Sequence, residues 1–175
     1  MSDYRALALE CGFTLAEPMD PATLEFMEDV RSMCAADRCR SYNHSWACPP
    51  ACGELSLWRE RASKYNRGLI MQTVGEREDS YDFEAMMEIA ARCDKNFYRL
   101  VDALNGADVL AMSAGTCTRC EKCTYPDAPC RFPDRLYPSM EACGLFVSKV
   151  CKDNGVPYYY GEEKMAYTCC LLYNE

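Results

Sequence analysis

The sequence contains no long apolar run, since no stretch approaches the roughly 20 apolar residues that a membrane-spanning helix requires. Its first residues, MSDYRALALECGF, have no cationic segment followed by an apolar one, so they do not predict a secretory signal. Basic residues are outnumbered, with 19 Lys and Arg against 27 Asp and Glu, and the net charge is −8. This balance argues against nucleic-acid binding, which requires clustered positive charge. We therefore expect a cytoplasmic protein that contacts neither nucleic acid nor a membrane.

Two common enzyme signatures are also missing. No Gly-x-Gly-x-x-Gly motif follows a predicted strand, which argues against a flavin or nicotinamide site. The single histidine, His44, is the only candidate base for a serine nucleophile, so the sequence does not predict a Ser-His-Asp hydrolase. Any catalytic activity would therefore have to depend on something other than these two kinds of site.

Cysteine is the residue type that the chain has in excess, with 14 in 175 residues. Hydrophobic residues make up 49% of the chain, which is enough for a core without disulfide cross-links. In a reducing compartment, clustered cysteines are more often metal ligands than disulfides. Cys11 and Cys93 fall on apolar helical faces, so we expect them to pack in the core.

The periodicity of apolar residues predicts an α/β fold, with α+β as the alternative. Strands over 69–74 and 107–113 flank a helix over 82–104, which predicts a βαβ crossover and a parallel pair in a small mixed sheet. Flanking helices and a C-terminal hairpin of residues 156–160 and 165–172 complete the prediction. We expect one domain over 1–175, in which a helical N-terminal segment (1–66) precedes an α/β portion (67–175).

The α/β portion carries what we call the second cysteine group, in the stretch CTRCEKCTYPDAPCRFP. The spacing Cys-x2-Cys-x2-Cys lets three thiolates turn toward one centre, as in [4Fe–4S] sites. Prolines stiffen the loop that follows, which can fold back and bring a fourth cysteine to the same centre. Zinc more often uses two separated Cys-x2-Cys pairs, so zinc is the alternative cofactor and a metal-free loop the third possibility. The four candidate ligands are Cys117, Cys120, Cys123 and Cys130.

Three cations lie among these cysteines, namely Arg119, Lys122 and Arg131. Positive charge beside a negatively charged cluster favours its reduced state and could also dock an anionic substrate or an acidic partner. A solvated charged loop is the competing interpretation, and it applies most directly to Lys122.

The N-terminal segment carries the first cysteine group, Cys34, Cys39, Cys48 and Cys52, whose spacing is looser. Two prolines after Cys48 restrict the backbone and are expected to project its sulfur from a rigid turn. If Cys52 does not bind, three thiolates would hold a cluster with one iron open to water or substrate. His44 lies in the same loop and is either a further ligand, a proton donor beside an open iron, or an exposed loop residue.

The stretches CAADRCRSYNHSWACPP and CTRCEKCTYPDAPCRFP, followed by PSME, resemble a prokaryotic family of small cysteine-rich "predicted metal-binding proteins", a domain of unknown function. The resemblance covers roughly residues 30–172. It implies metal ligation by Cys34, Cys39 and Cys48 and by the second cysteine group, and it implies no established reaction. In the family pattern the positions of Cys52 and Cys143 are commonly not cysteine, which implies that Cys143 belongs to the core.

The main functional hypothesis is an iron–sulfur protein with two [4Fe–4S] centres that takes part in electron transfer or anaerobic redox metabolism. The first alternative is an enzyme whose open-iron cluster, held by three cysteines, acts on a small-molecule substrate. The second is a zinc-binding structural or interaction module. The expected partner is accordingly a redox protein or a small molecule, and the sequence leaves enzymatic activity open.

Overall fold

One four-stranded sheet with helices against both faces forms the fold in the computed structural model, which describes residues 3–175. The predicted fold class, a mixture of helix and strand, is confirmed. Short 3-10 turns occupy Pro21–Thr23 and Pro133–Arg135. The main elements are α1 (Tyr4–Glu10), β1 (Leu15–Met19), α2 (Glu28–Ala35), α3 (Leu55–Ala62), β2 (Arg67–Glu76), α4 (Phe83–Ala103), β3 (Val109–Met112), α5 (Val147–Asp153) and β4 (Lys164–Tyr173).

The strand order is β1-β2-β4-β3, and every neighbouring pair is antiparallel. The predicted parallel pair in a mixed sheet is therefore wrong: β2 and β3 run in the same direction and α4 connects them, but β4 lies between them. The physical reason is the apolar character of β4, whose residues 169–172 are completely buried. Such a strand is most stable with a neighbour on each side, whereas the short β3 can occupy an edge.

The predicted C-terminal hairpin is also wrong, because residues 156–160 form no strand. Pro157 has no N–H to donate to a ladder. The segment is held instead by Gln72 of β2, whose Nε2 donates to the Pro157 carbonyl (2.8 Å) and whose Oε1 accepts from the Tyr160 hydroxyl. The strand predicted over 165–172 is present within β4, and it pairs with β2 and β3.

Apolar side chains cover both faces of the sheet. One core lies between the sheet and helices α1 and α4 and includes Leu69 and Met71 of β2. The other lies against α3, α5 and residues 139–145, and it includes Ile70 of β2. Successive residues of β2 therefore enter opposite cores, which explains why the sequence of this strand is a nearly continuous apolar run.

Apolar periodicity in the sequence predicts that Met33 in α2 and Phe83 and Met87 in α4 are buried, but all three are largely exposed. The helix that contains the latter two is present as predicted, and the Asp82 side chain caps it by accepting from the Ala85 N–H (3.1 Å). Ile89 packs against Gly75, one residue before β2 ends. The turns of α4 before Ile89 extend past the sheet, so they have no strands to cover them.

In the sequence, Pro138 and Ser139 predict the start of a helix, but α5 begins only at Val147, and turns occupy residues 140–144. Gly144 interrupts a helix there, because its φ of 89° is in the left-handed region that glycine adopts most easily. Its carbonyl accepts from the Met27 N–H (2.8 Å), and a Cβ at this position would collide with Leu55. The turn therefore packs on the chain entering α2, which brings Glu141 beside the first cysteine group.

Candidate metal centres

The second cysteine group lies directly beyond β3, where the order of predicted elements placed it, and the chain reaches it through Gly115. Its four cysteines all line one pocket of about 20 Å³, which we call the enclosed pocket. Ser45 and Trp46, from the loop of the first cysteine group, also line it. The structure thus brings together the four residues that the spacing predicted to form one set of ligands.

Hydrogen-bond donors point at the sulfurs of this group. Burial alone would raise the pKa of Cys123, but nearby N–H groups of Trp46, Tyr125 and Thr124 and the hydroxyl of Ser45 lower that pKa below its usual value. The Phe132 N–H similarly donates to Cys130 Sγ (3.4 Å). Donors of this kind stabilise a thiolate, which is the form that binds metal.

Helix α4 holds the first part of the cysteine loop. The guanidinium of Arg119 stacks on the Tyr98 ring (3.9 Å to the ring centroid) and pairs with Asp102 (3.1 Å). The Thr118 hydroxyl donates to Asp94 (2.8 Å). Arg119 also lines the enclosed pocket, and its Nε is buried without a hydrogen-bond partner among residues 3–175. An unpartnered N–H beside four thiols fits a negatively charged group between them.

The first cysteine group faces a much larger space. Three of its cysteines line a cavity of about 410 Å³, which we call the open cavity. They are Cys34, at the end of α2, and Cys39 and Cys48, in the loop that follows. Cys48 Sγ lies 3.5 Å from Thr116 Oγ1, within hydrogen-bond distance. Three of the four candidate ligands are therefore arranged along one cavity wall.

Arg31 fixes the helix that supplies Cys34. Its Nε donates to the Ala142 carbonyl (2.7 Å) and its other end donates to the Gly53 carbonyl, so α2 is tied to residues 139–145. The Cys34 thiol in turn lies 3.9 Å from the Glu141 carbonyl oxygen. Glu141 lines the open cavity, and the surrounding protein raises the pKa of its carboxyl because the charged form is poorly hydrated there.

Cys52 and His44 are placed differently from the other predicted ligands. Cys52 is buried, its thiol donates to the Ala142 carbonyl (3.6 Å), and it lines neither of the two spaces. Burial raises the pKa of Cys52 to about 11, and it also raises the pKa values of Cys34 and Cys48. His44 is exposed and lines neither space. Cys52 and His44 therefore lie apart from the three cysteines that line the open cavity.

The two spaces are neighbours that share two chain segments. Residues 45–46 line the enclosed pocket while Cys48 lines the open cavity. Similarly, Thr116 lines the open cavity and Cys117 the enclosed pocket. Trp46 is held between the two loops, because its ring packs edge-on against Tyr125 (4.9 Å between centroids). Groups bound at the two sites would therefore lie side by side.

Within residues 3–175, no three Cys, His, Asp or Glu side chains converge closely enough to hold one metal ion. A zinc ion holds its thiolates at about 2.3 Å, which places the sulfurs within roughly 4 Å of one another. An iron–sulfur cluster spreads its four ligands around a larger body.

Residues 17–173 match the family described as "Predicted metal-binding protein (DUF2284)". The chain belongs to this family. The match covers both cysteine groups, so the resemblance drawn from the two motifs is confirmed. No curated protein and no solved structure matches the chain. Among the described residues, no helix is both long and apolar enough to cross a membrane.

Three residues that line the open cavity could not be assigned to a site from the sequence alone. Arg38 lies inside the CAADRC stretch, and Glu141 ends the PSME stretch, so both belong to recognised motifs. Tyr158 also lines the open cavity, although no motif marks it, because the Gln72 hydrogen bonds place it there. Only the folded chain shows that these residues face the same space as the first cysteine group.

Proposed function

We propose that this predicted metal-binding protein is an iron–sulfur redox protein with two [4Fe–4S] clusters. Cys117, Cys120, Cys123 and Cys130 would hold one cluster completely, and Cys34, Cys39 and Cys48 would hold the second. The observation that carries the proposal is the enclosed pocket, which all four cysteines of the tight spacing line and into which N–H donors point. The metal-binding character of the family supports it.

A bound cluster would supply one-electron transfer. The residues of the chain do the remaining work. Nearby backbone N–H groups lower the pKa of Cys123 and so favour its thiolate, and the packed rings of Trp46 and Tyr125 would limit the access of water to the sulfurs. Arg119 provides a largely buried positive charge that offsets the added electron. Since the two sites share chain segments, we propose that electrons pass from the enclosed site to the open one.

The open cavity favours a second candidate function, that of an enzyme. Three cysteines would leave one iron without a protein ligand, and the 410 Å³ cavity gives that position room for a small molecule. Electron transfer to a partner and reduction of a bound substrate are compatible, because the enclosed cluster would serve both. An acidic chain with a net charge of −8 suits a redox partner with a basic surface.

We propose that the protein works in a reducing compartment, the cytoplasm, because its candidate ligands are thiols. All 14 are free in the structure, although Cys93 and Cys169 lie with their sulfurs 3.7 Å apart. Thiols that must bind iron would be lost to oxidation elsewhere.

Anaerobic purification followed by metal and sulfide analysis tests the proposal. We expect about eight iron atoms and about eight acid-labile sulfides per chain, the content of two [4Fe–4S] clusters. The protein should be brown, with visible absorption that bleaches when dithionite is added. A colourless protein with stoichiometric zinc and no sulfide would overturn the proposal in favour of the zinc module.

A further inference from the structure

The open cavity has the dimensions of a small-molecule site. Its volume of about 410 Å³ falls within the range of about 300–1,000 Å³ that ligand pockets usually have. Cys34, Cys39 and Cys48 form one part of its lining, and the rest includes side chains of α2 and α5, residues 139–142, Arg38, Phe146 and Tyr158. A ligand would therefore share the cavity with the group that the cysteines hold, and it would contact the part of the wall that no metal requires.

That wall is apolar and open to solvent. Met33, Phe146 and Tyr158 all line the cavity, yet they are 55%, 46% and 51% exposed. Large apolar side chains grouped around one concave site usually indicate a ligand with an apolar body. The segment that carries Tyr158 is held by Gln72, so this part of the wall is preformed.

Two charged side chains give the cavity polar specificity. Arg38 lines it and makes no hydrogen bond or ion pair within residues 3–175, in contrast to Arg31, which is engaged by two carbonyls. A guanidinium matches a carboxylate with two parallel hydrogen bonds. Glu141 lines the same cavity and forms no ion pair with Arg38, so its oxygens can accept from a ligand hydroxyl or amine.

We infer that the open cavity binds a small carboxylic acid with an apolar body and one hydrogen-bond donor, such as a hydroxy or amino acid. Arg38 holds the carboxylate, Glu141 accepts from the donor group, and Met33, Phe146 and Tyr158 enclose the apolar body. The inference deepens the proposed function. It rests on that function only in one respect, namely that the bound acid would face a cluster held by Cys34, Cys39 and Cys48.

Anaerobic calorimetric titration of the full chain with 3-phenyllactate tests this inference, because the probe combines a carboxylate, a hydroxyl and a phenyl ring. We expect saturable binding that weakens at least tenfold in Arg38→Gln, since a charge-assisted hydrogen-bond pair is lost. Phe146→Ala should weaken binding about fivefold through lost apolar contact. The uncharged amide of 3-phenyllactate should bind at least tenfold more weakly than the acid.

Two matched variants serve as controls. Arg40→Gln removes an exposed arginine of the same loop that does not line the cavity, and Phe83→Ala removes an exposed phenylalanine on α4. Both should bind the probe like the parent protein. Iron and sulfide are measured on every sample, so that a failure of the cluster proposal can be distinguished from a failure of the ligand inference. Arg38-dependent binding without iron would support the inference while the cluster proposal fails. A protein that contains both clusters but binds no phenyllactate, or binds it equally in Arg38→Gln, would overturn the inference.

Discussion

The two cysteine groups differ in how much of each site comes from one stretch of chain. The second group places four sulfurs in a single loop around a pocket of about 20 Å³, and the same loop supplies donors from Thr124, Tyr125 and Phe132. The first group lines a cavity of about 410 Å³ whose other walls come from α5 and from residues 139–142 and 158. A site made locally can close on its cofactor, whereas a site assembled from distant segments keeps space for a ligand.

The largest expected effect comes from removing a ligand of the enclosed pocket. Cys123→Ser should reduce the iron content from about eight to about four atoms per chain, because serine is a poor replacement for a thiolate in a [4Fe–4S] site. Iron analysis and electron paramagnetic resonance of the reduced protein would measure the loss. Cys11→Ser, at a core cysteine away from both sites, is the control and should retain all the iron. Full iron content in Cys123→Ser would contradict the assignment of the enclosed site.

The second prediction concerns Gln72, which supports a wall of the open cavity but does not line the enclosed pocket. Gln72→Leu leaves the Pro157 carbonyl and the Tyr160 hydroxyl without their partner, so we expect it to lower the free energy of unfolding by about 2–4 kcal/mol. The wall that carries Tyr158 should loosen, while the enclosed pocket should keep its cluster. Urea unfolding and iron analysis measure the two effects. Tyr160→Phe removes one of these hydrogen bonds and should cost only about 1 kcal/mol. Equal destabilisation by both variants would contradict this account of Gln72.

The third prediction concerns charge at the enclosed pocket. Arg119→Gln should lower the reduction potential of its cluster by about 50 mV, close to a tenfold change for a one-electron couple, because a largely buried cation no longer stabilises the added electron. A redox titration followed by electron paramagnetic resonance measures the shift. Lys122→Gln removes the same charge from an exposed side chain, and solvent screening should keep its effect much smaller. Equal shifts in the two variants would show that only net charge matters.

The sequence predicted the local features of the molecule better than the long-range ones. The spacing of Cys117, Cys120, Cys123 and Cys130 sufficed to place them around one pocket, and periodicity located α4 and the strand over 165–172. The insertion of β4 between β2 and β3 was not predictable from periodicity, because an apolar run indicates burial but does not name its neighbours. The cavity beside the first group was missed for the same reason: Arg38, Glu141 and Tyr158 are far apart in sequence.

The smallest expected effect is at Cys52, and it is also the sharpest test of the difference between the two sites. Cys52 lines neither space and donates its thiol hydrogen to Ala142, so Cys52→Ser should keep about eight iron atoms and lower the free energy of unfolding by no more than about 1 kcal/mol. The resonance of the reduced open-site cluster should also be unchanged, since its three thiolates remain. If Cys52→Ser instead lost about four iron atoms, Cys52 would be a fourth ligand. Both clusters would then be coordinatively complete, and the open cavity would have no free iron for a substrate to reach.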